Sequence, residues 1–140
     1  SNKKVFDELN EKYSSDPLFK IFGKTDEMPL FMTASDVIYT KPGGLTSTEA
    51  AASRKPLVLI YPIPGCETFN REFFVDLNMA VTADTPDELV KKGLDLLADE
   101  EAKATMIKAQ AENVDSNATK NIVNFIVDRT KEIKTERGKI

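Results

Sequence analysis

The sequence contains no histidine, and cysteine occurs only once, as Cys66. The absence of histidine excludes the Ser-His and Cys-His nucleophilic pairs and the usual zinc sites. A single cysteine excludes an internal disulfide and fits a reducing compartment. Long hydrophobic runs are also missing, and none approaches the length that spans a membrane. A histidine-dependent reaction carried out by this chain alone is therefore excluded.

Positive charge is in deficit as well. The chain has 19 Lys and Arg residues against 23 Asp and Glu residues, a formal net charge of −4. Nucleic-acid binding requires a basic face, so no nucleic-acid partner is expected. The length of 140 residues and the hydrophobic content of 41% are typical of a soluble globular protein with a core of its own. We predict one domain over residues 1–140.

Two familiar phosphate motifs, G-x-G-x-x-G and a glycine loop ending in Gly-Lys-Ser/Thr, are absent. A different unit occupies residues 36–49. Residues 37–40 are β-branched and aromatic, which predicts a short buried strand. Pro42-Gly43-Gly44 then breaks the chain, and residues 45–52 predict a helix. Such a unit either binds a phosphate or is only a structural turn, since glycine turns join strands to helices throughout α/β proteins.

The chemistry of this unit suits a phosphorylated ribose. The N-terminus of its helix offers unpaired N–H groups and a partial positive charge, which favour phosphate. Thr46 and Glu49 are three positions apart and share one face of the helix. A carboxylate at Glu49 can accept hydrogen bonds from two neighbouring hydroxyls, such as those of a ribose.

Strands and helices alternate along the chain. Further strands are predicted over residues 18–22, 56–60 and 79–82, and further helices over 3–13, 27–34, 67–77, 86–97, 99–113 and 117–132, with a frayed tail over 134–140. This alternation predicts an α/β fold, a Rossmann-like three-layer domain with a parallel sheet that ends in helices. Ligands of such sheets bind beyond the C-terminal ends of the strands, where the loops 42–44 and 62–65 are expected to meet.

Apolar residues at helical spacing predict the buried faces of three helices. The predicted inward residues are Met28, Phe31 and Met32 in the first, Phe69, Phe73, Phe74 and Leu77 in the second, and Leu89, Val90, Gly93, Leu94 and Leu97 in the third. Thr85, Pro86 and Glu88 form a capping-box signature at the start of the third. We interpret the Met-aromatic face of the first helix as core and not as a cofactor contact.

Several stretches carry a resemblance to a known family. They are Gly23-Lys24-Thr25-Asp26, residues 32–36, residues 40–50, Pro62-Ile63-Pro64-Gly65-Cys66-Glu67, and Asn70. In these stretches the sequence resembles the donor-binding half of a GT-B glycosyltransferase, in the family of monogalactosyldiacylglycerol synthases and processive diacylglycerol glucosyltransferases. That family is related to the peptidoglycan N-acetylglucosaminyltransferase. The likeness extends from about residue 2 to about residue 125 in the family's order, and implies the truncated C-terminal half of a GT-B fold.

The resemblance implies a set of substrate-binding residues: Gly43, Gly44, Leu45 and Thr46 along the donor diphosphate, Glu49 at the ribose hydroxyls, and Pro64, Gly65, Cys66, Glu67 and Asn70 around the sugar. It assigns no catalytic residue, no metal ligand and no cofactor, since the UDP-sugar is a substrate. Two roles have structural alternatives, because Glu67 could complement the helix dipole and Asn70 could cap a helix or lie at the surface. Cys66 stands where the family usually has glutamine, and a thiol is a weaker hydrogen-bonding group.

The family transfers the sugar of a UDP donor to a lipid hydroxyl by direct displacement with inversion. The resemblance therefore implies three partners: a UDP-sugar, an acceptor domain of the same polypeptide, and a lipid acceptor reached through that domain. It also implies a cytoplasmic enzyme peripheral to the membrane. The family's acceptor-side catalytic residues have no matching positions here, so we expect the chain alone to transfer no sugar. The alternative is a non-catalytic Rossmann-like binding or interaction module.

Overall fold

The structure is a computed structural model that describes residues 2–137. Within these residues there are seven helices and three short strands. In chain order they are α1 Lys3–Tyr13, α2 Met28–Ala34, β1 Ile38–Thr40, α3 Gly44–Ala52, β2 Leu57–Leu59, α4 Cys66–Asp76, β3 Val81–Thr82, α5 Pro86–Ala98, α6 Glu100–Asn113 and α7 Ala118–Arg137. The central alternation and the helical C-terminal part agree with the prediction.

The three strands form one parallel sheet in the order β1-β2-β3. Thr40 of β1 lies opposite Leu59 of β2, and Leu59 lies opposite Thr82 of β3. All three residues of β2 are fully buried. Because successive side chains of a strand point to opposite faces, both faces of the sheet are covered. With α3, α4 and α5 packed on the sheet, the predicted three-layer α/β fold is confirmed.

A close approach between α5 and β1 depends on Gly93. A Cβ atom at Gly93 would lie 1.7 Å from Oη of Tyr39, which is far inside van der Waals contact. The Tyr39 hydroxyl donates a hydrogen bond to the carbonyl oxygen of Val90 at 3.3 Å. Only glycine leaves room for the tyrosine at this crossing.

The buried face of α5 was only partly predicted. Leu89, Gly93 and Leu96 are buried. The prediction for Val90, Leu94 and Leu97 is wrong, because these side chains are exposed. Both sets have helical spacing, so the period alone does not distinguish them. The set that faces the sheet includes Gly93, which lies against Tyr39 of β1.

The buried face of α4 also differs from the prediction. Phe74 is buried, with 4% of its surface exposed, whereas Phe69 is 73% exposed. Phe73 and Leu77 are exposed too, although the Phe73 ring meets that of Phe74 edge-on at 5.6 Å. The inward face contains Phe74 and, four residues earlier, the polar Asn70. Sequence analysis misassigned this face because an asparagine was not expected on it.

Residues 18–22 do not form the predicted strand. Asp16 instead closes a turn by accepting the Leu18 N–H at 2.9 Å. The segment then stays outside the sheet, with Phe19 stacked on Tyr13 and Phe22 packed against Phe31, each at 4.6 Å between ring centroids. The aromatic character that suggested a strand is used in contacts with α1 and α2.

The remaining predictions concern α2 and the C-terminal part. In α2, Met32 is buried as predicted and Phe31 is half-buried, but Met28 is exposed. Helix α7 continues to Arg137, through part of the tail that was predicted to fray, and residues 138–140 lie outside the described part. Among the described residues, no helix combines the length and apolar character needed to cross a membrane.

Candidate functional site

Two loops meet at the C-terminal edge of the sheet, as predicted. One follows β1 and leads into α3, and the other follows β2 and leads into α4. Two hydrogen bonds join them directly. Lys41 Nζ lies 3.3 Å from Glu67 Oε1, and Asn70 Nδ2 donates to the carbonyl oxygen of Pro42 at 3.0 Å. We call residues 41–46 and 63–70 the loop edge.

The N-terminus of α3 leaves backbone donors open. The helix begins after Gly43, and no side chain caps it. The first amide with a backbone acceptor is that of Ser47, which donates to Gly43 O at 3.0 Å. Within the described residues, the amides of Gly44, Leu45 and Thr46 have no protein acceptor. These N–H groups and the positive end of the helix dipole are therefore available to an anion.

Other helices of the chain treat their first turn differently. Asn2, Thr85 and Asp99 accept hydrogen bonds from the first turns of α1, α5 and α6. The predicted cap at Thr85 is confirmed, since its hydroxyl oxygen accepts the Glu88 N–H at 3.3 Å. The Thr85 hydroxyl also donates to the Glu88 carboxylate at 2.9 Å, but within the described residues the Thr85 N–H does not donate to that carboxylate as a full capping box requires. Both helices of the loop edge, α3 and α4, start at a glycine without a side-chain cap. Helix α2 also lacks one.

The turn before α3 is held in place by buried residues and hydrogen bonds. Pro42 and Ser47 are fully buried. The carbonyl oxygen of Lys41 accepts hydrogen bonds from the Gly43 N–H at 2.8 Å and from the Ser47 hydroxyl at 3.4 Å. These contacts hold the start of α3 in place although Gly44, Leu45 and Thr46 are exposed.

Glu67 is bonded to both loops. Its Oε2 accepts the N–H of Ile63 at 2.6 Å, and its Oε1 accepts from Lys41. Only 14% of the Glu67 side chain is exposed, against 52% for Lys41. The Ile63 N–H lowers the pKa of the Glu67 carboxyl below its usual value. Partial burial opposes this shift, and the Lys41 ammonium adds to it. Glu67 is thus an ionised bridge as well as a predicted sugar-binding residue.

Gly65 determines the shape of the second loop. Its φ of 113° and ψ of −126° lie in a region that residues other than glycine rarely adopt. Pro64, Gly65 and Cys66 are exposed around this turn, and the thiol is free. Cys66 is the exposed first residue of α4, and its contact with a sugar stays a prediction.

Asn70 lies inside the loop edge. It is half-buried, in the second turn of α4, and its amide reaches Pro42. Both structural alternatives for this residue, a helix cap and a surface position, are therefore wrong. The Asn70 Nδ2 is also 3.7 Å from the position that a Cβ of Gly44 would take, so the amide lies beside the start of α3.

Glu49 lies one turn further along α3 and is exposed. Within the described residues, its carboxylate has no hydrogen-bond or ion-pair partner. It lines a cleft of about 290 Å³ between α2 and α3, whose other lining residues are Pro29, Met32, Thr33, Ala52 and Ser53. Glu67 and Asn70 are thus hydrogen-bonded to other residues of the loop edge. The Glu49 carboxylate, by contrast, has no partner among the described residues.

Lys41 is a member of the site that was not predicted from the sequence. The residue belongs to the stretch that carries the resemblance, and an opposite charge stands at Glu67, but 26 positions separate the two. Only the parallel pairing of β1 and β2 brings them together. Within the described residues no group of three potential metal ligands occurs.

The sequence matches the Glycosyltransferase family 28 C-terminal domain over residues 1–122. The chain belongs to this family. Among its relatives, the processive diacylglycerol beta-glucosyltransferase of Staphylococcus epidermidis (strain ATCC 12228 / FDA PCI 1200) is 31% identical over 127 residues, which cover 91% of this chain and 32% of the relative. The protein of the same name from Staphylococcus aureus (strain Newman) is 32% identical with the same coverage.

These matches confirm the predicted resemblance to the diacylglycerol glucosyltransferases. The family 28 domain described here spans about a third of the length of these relatives. It is a glycosyltransferase C-terminal domain with the parallel α/β fold that the sequence predicted. The roles of the individual loop-edge residues and of Glu49 stay predictions.

Proposed function

We propose that this family 28 domain binds the UDP-sugar donor of an inverting hexosyltransferase whose acceptor is a diacylglycerol-type lipid. The acceptor is held by a separate domain of the same polypeptide. The enzyme works in the cytoplasm, as a peripheral protein at a membrane surface that supplies the lipid. The diphosphate of the donor lies on the N-terminus of α3, and its ribose lies at Glu49.

The observation that carries this proposal is the set of free amides at Gly44, Leu45 and Thr46. An anion accepts hydrogen bonds from such groups and is favoured by the helix dipole. The buried Pro42 and Ser47 hold these amides in place before any ligand arrives, and pre-organised donors avoid the cost of ordering on binding. The exposed Glu49 carboxylate on the same helix has free acceptor capacity for a ribose diol.

The same arrangement accounts for the part of the reaction that belongs to this domain. Direct displacement at the anomeric carbon breaks the bond to the diphosphate, which leaves with increased negative charge. Fixed N–H donors aimed at a leaving group lower the barrier because they stabilise charge that develops in the transition state. The attacking hydroxyl and the base that takes its proton belong to the acceptor domain.

A second candidate function is supported by a specific observation. Glu67 and Asn70 already have partners within the chain. In a non-catalytic binding or interaction module, these bonds would only hold two loops together. Such a module has no use for open amides at α3 or for an unpaired Glu49, so donor binding distinguishes the two candidates.

The proposal is tested by titrating the chain with UDP in a calorimeter or by NMR. We expect measurable but weak binding, because the open amides of Gly44, Leu45 and Thr46 lie at an exposed helix end where water competes for them. Glu49→Ala should weaken UDP by about 1–3 kcal/mol, the scale of a lost hydrogen bond to a charged group. The folding stability should change little, since Glu49 is exposed.

Glu72→Ala is the matched control, because Glu72 is an exposed glutamate on the neighbouring helix α4. It should leave UDP binding unchanged. Unaltered UDP affinity in Glu49→Ala together with a large loss of stability would show that the carboxylate is structural. A wild-type chain that does not bind UDP at millimolar concentration would favour the interaction module.

A further inference from the structure

In the ion pair between Lys41 and Glu67, hydrogen bonds hold the backbone of the lysine more firmly than its side chain. The Lys41 backbone is fixed against α3, because its carbonyl oxygen accepts from Gly43 and Ser47. Its side chain is half-exposed and ends 3.3 Å from Glu67 Oε1. A lysine ammonium on a flexible stem has three donors and can move to another acceptor within its reach. The backbone of Lys41 is therefore held in place, whereas its ammonium group can change partners.

The two oxygens of Glu67 have different partners. Oε2 accepts a backbone N–H at 2.6 Å from Ile63, four residues earlier in the chain. Among the described residues, Oε1 accepts a hydrogen bond only from the lysine. The lysine of this ion pair is half-exposed, so water partly screens the pair and a long side chain must be ordered to form it, which limits its contribution to stability. Oε1 can thus change partners while the bond of Oε2 keeps the carboxylate oriented.

We propose that Lys41 moves from Glu67 to the diphosphate when a nucleoside diphosphate binds, and that Glu67 Oε1 is thereby freed to accept a hydroxyl of the donor sugar. This inference rests on the proposed donor site at α3. Lys41 follows β1 and stands three residues before Gly44, whose amide starts that site. A diphosphate has more negative charge than one carboxylate and offers several oxygens, so it is the stronger partner for an ammonium.

The exchange assigns distinct roles to the pair. Lys41 binds the diphosphate, and Glu67 recognises the sugar only after Lys41 has left. Glu67 also competes with the diphosphate for Lys41 in the absence of a sugar. Removal of the Glu67 charge should therefore strengthen the binding of UDP itself, whereas a carboxylate that only holds the loops together would weaken UDP when removed.

The experiment compares uridine, UDP and UDP-glucose by NMR titration of the 140-residue chain. In Lys41→Met we expect the UDP affinity to fall about 10-fold or more, the scale of one charge-assisted hydrogen bond, with uridine unchanged. Lys41→Arg keeps the charge and should retain most of the UDP affinity. Lys108→Met is the control, because Lys108 is an exposed lysine that pairs with Glu112 on α6.

In Glu67→Gln we expect UDP to bind about threefold more tightly, on the scale of an ion pair that water partly screens, and UDP-glucose to lose its advantage over UDP. The exchange is wrong if Lys41→Met weakens uridine and UDP equally, or if Glu67→Gln weakens UDP. Neither result would contradict the proposed donor site. Failure of the wild-type chain to bind UDP would instead contradict the proposed function and this inference together.

Discussion

The two ends of α3 differ in whether their backbone polar groups are hydrogen-bonded to the protein. At its C-terminal end, Arg54 has a φ of 57° and turns its guanidinium towards the helix. Nη1 donates to the carbonyl oxygens of Ala51 at 2.9 Å and Gln110 at 2.8 Å, and Nη2 donates to that of Val114 at 2.7 Å. One side chain thus satisfies carbonyl groups at the ends of both α3 and α6.

Gln110 completes this closed end. It is fully buried, and its Nε2 donates to the carbonyl oxygens of Lys55 and Met79, each at 2.9 Å. These bonds tie α6 to the residues that precede β2 and β3. Only its Oε1 lacks a hydrogen-bond partner among the buried side-chain atoms of the described residues.

The N-terminal end of the same helix has three open amides and a glycine where a capping side chain could stand. Polar groups that serve the fold are buried and bonded to the protein, as at Arg54. Polar groups left unbonded at a rigid, exposed edge are available to a ligand. The difference between the two ends is therefore the physical basis for proposing the donor site at the start of α3.

The largest loss of stability is expected when the hydrogen bonds at the C-terminal end of α3 are removed. Arg54→Ala removes the donor of three carbonyl groups and should lower the free energy of unfolding by about 2–4 kcal/mol, since hydrogen bonds from a charged donor are lost. Denaturant unfolding measures this. Lys55→Ala, at the next position, is the control and should change stability by less than about 0.5 kcal/mol. Equal effects of the two substitutions would remove the contrast between the ends.

A smaller loss of stability is expected when the glycine that shapes the second loop of the loop edge is replaced. Gly65→Ala should cost about 1–3 kcal/mol of stability, because an alanine is strained at a φ of 113°. Gly43 is the matched control. Its φ is −73°, and a Cβ there would meet nothing within 4 Å. Gly43→Ala should therefore unfold at nearly the wild-type denaturant concentration, and a loss as large as that of Gly65→Ala would contradict this account.

The smallest effect concerns pH. Because the folded-state pKa of Glu67 is lowered, its contribution to stability is complete above the ordinary glutamate value of 4.5 and is lost as the pH falls through the lowered pKa. The stability advantage of the wild type over Glu67→Gln should accordingly be largest near neutral pH and shrink below pH 4.5. Urea unfolding of both proteins at several pH values measures it. A constant advantage would mean that the ionised carboxylate has no preferred partners in the folded chain.

Local signals were enough to predict much of this molecule. The helix cap at Thr85, the buried strand β2 and the glycine turn before α3 each depend on residues close together in the sequence. The strand predicted at residues 18–22 failed because a strand also needs a neighbour with which to pair. The prediction for one side of α5 was wrong because two apolar sets share the helical spacing, and the packing of α5 on the sheet, as between Gly93 and Tyr39, joins residues far apart in the sequence.

The candidate site divides in the same way. The open helix start and Glu49 were found from the order of residues along one strand, turn and helix. The bonds of Lys41 to Glu67 and of Asn70 to Pro42 span 26 and 28 positions. Such bonds follow from the parallel packing of β1 beside β2, so they could not be derived from spacing.

The most direct test of the account is a map of backbone amide chemical shifts during titration with UDP. The account predicts that the largest changes fall on residues 43–49, where the amides of Gly44, Leu45 and Thr46 are open, with further changes over 64–70. The closed end around Arg54 and Gln110 should stay unchanged. Shifts confined to the helices after Thr85, with none at the start of α3, would contradict the central claim.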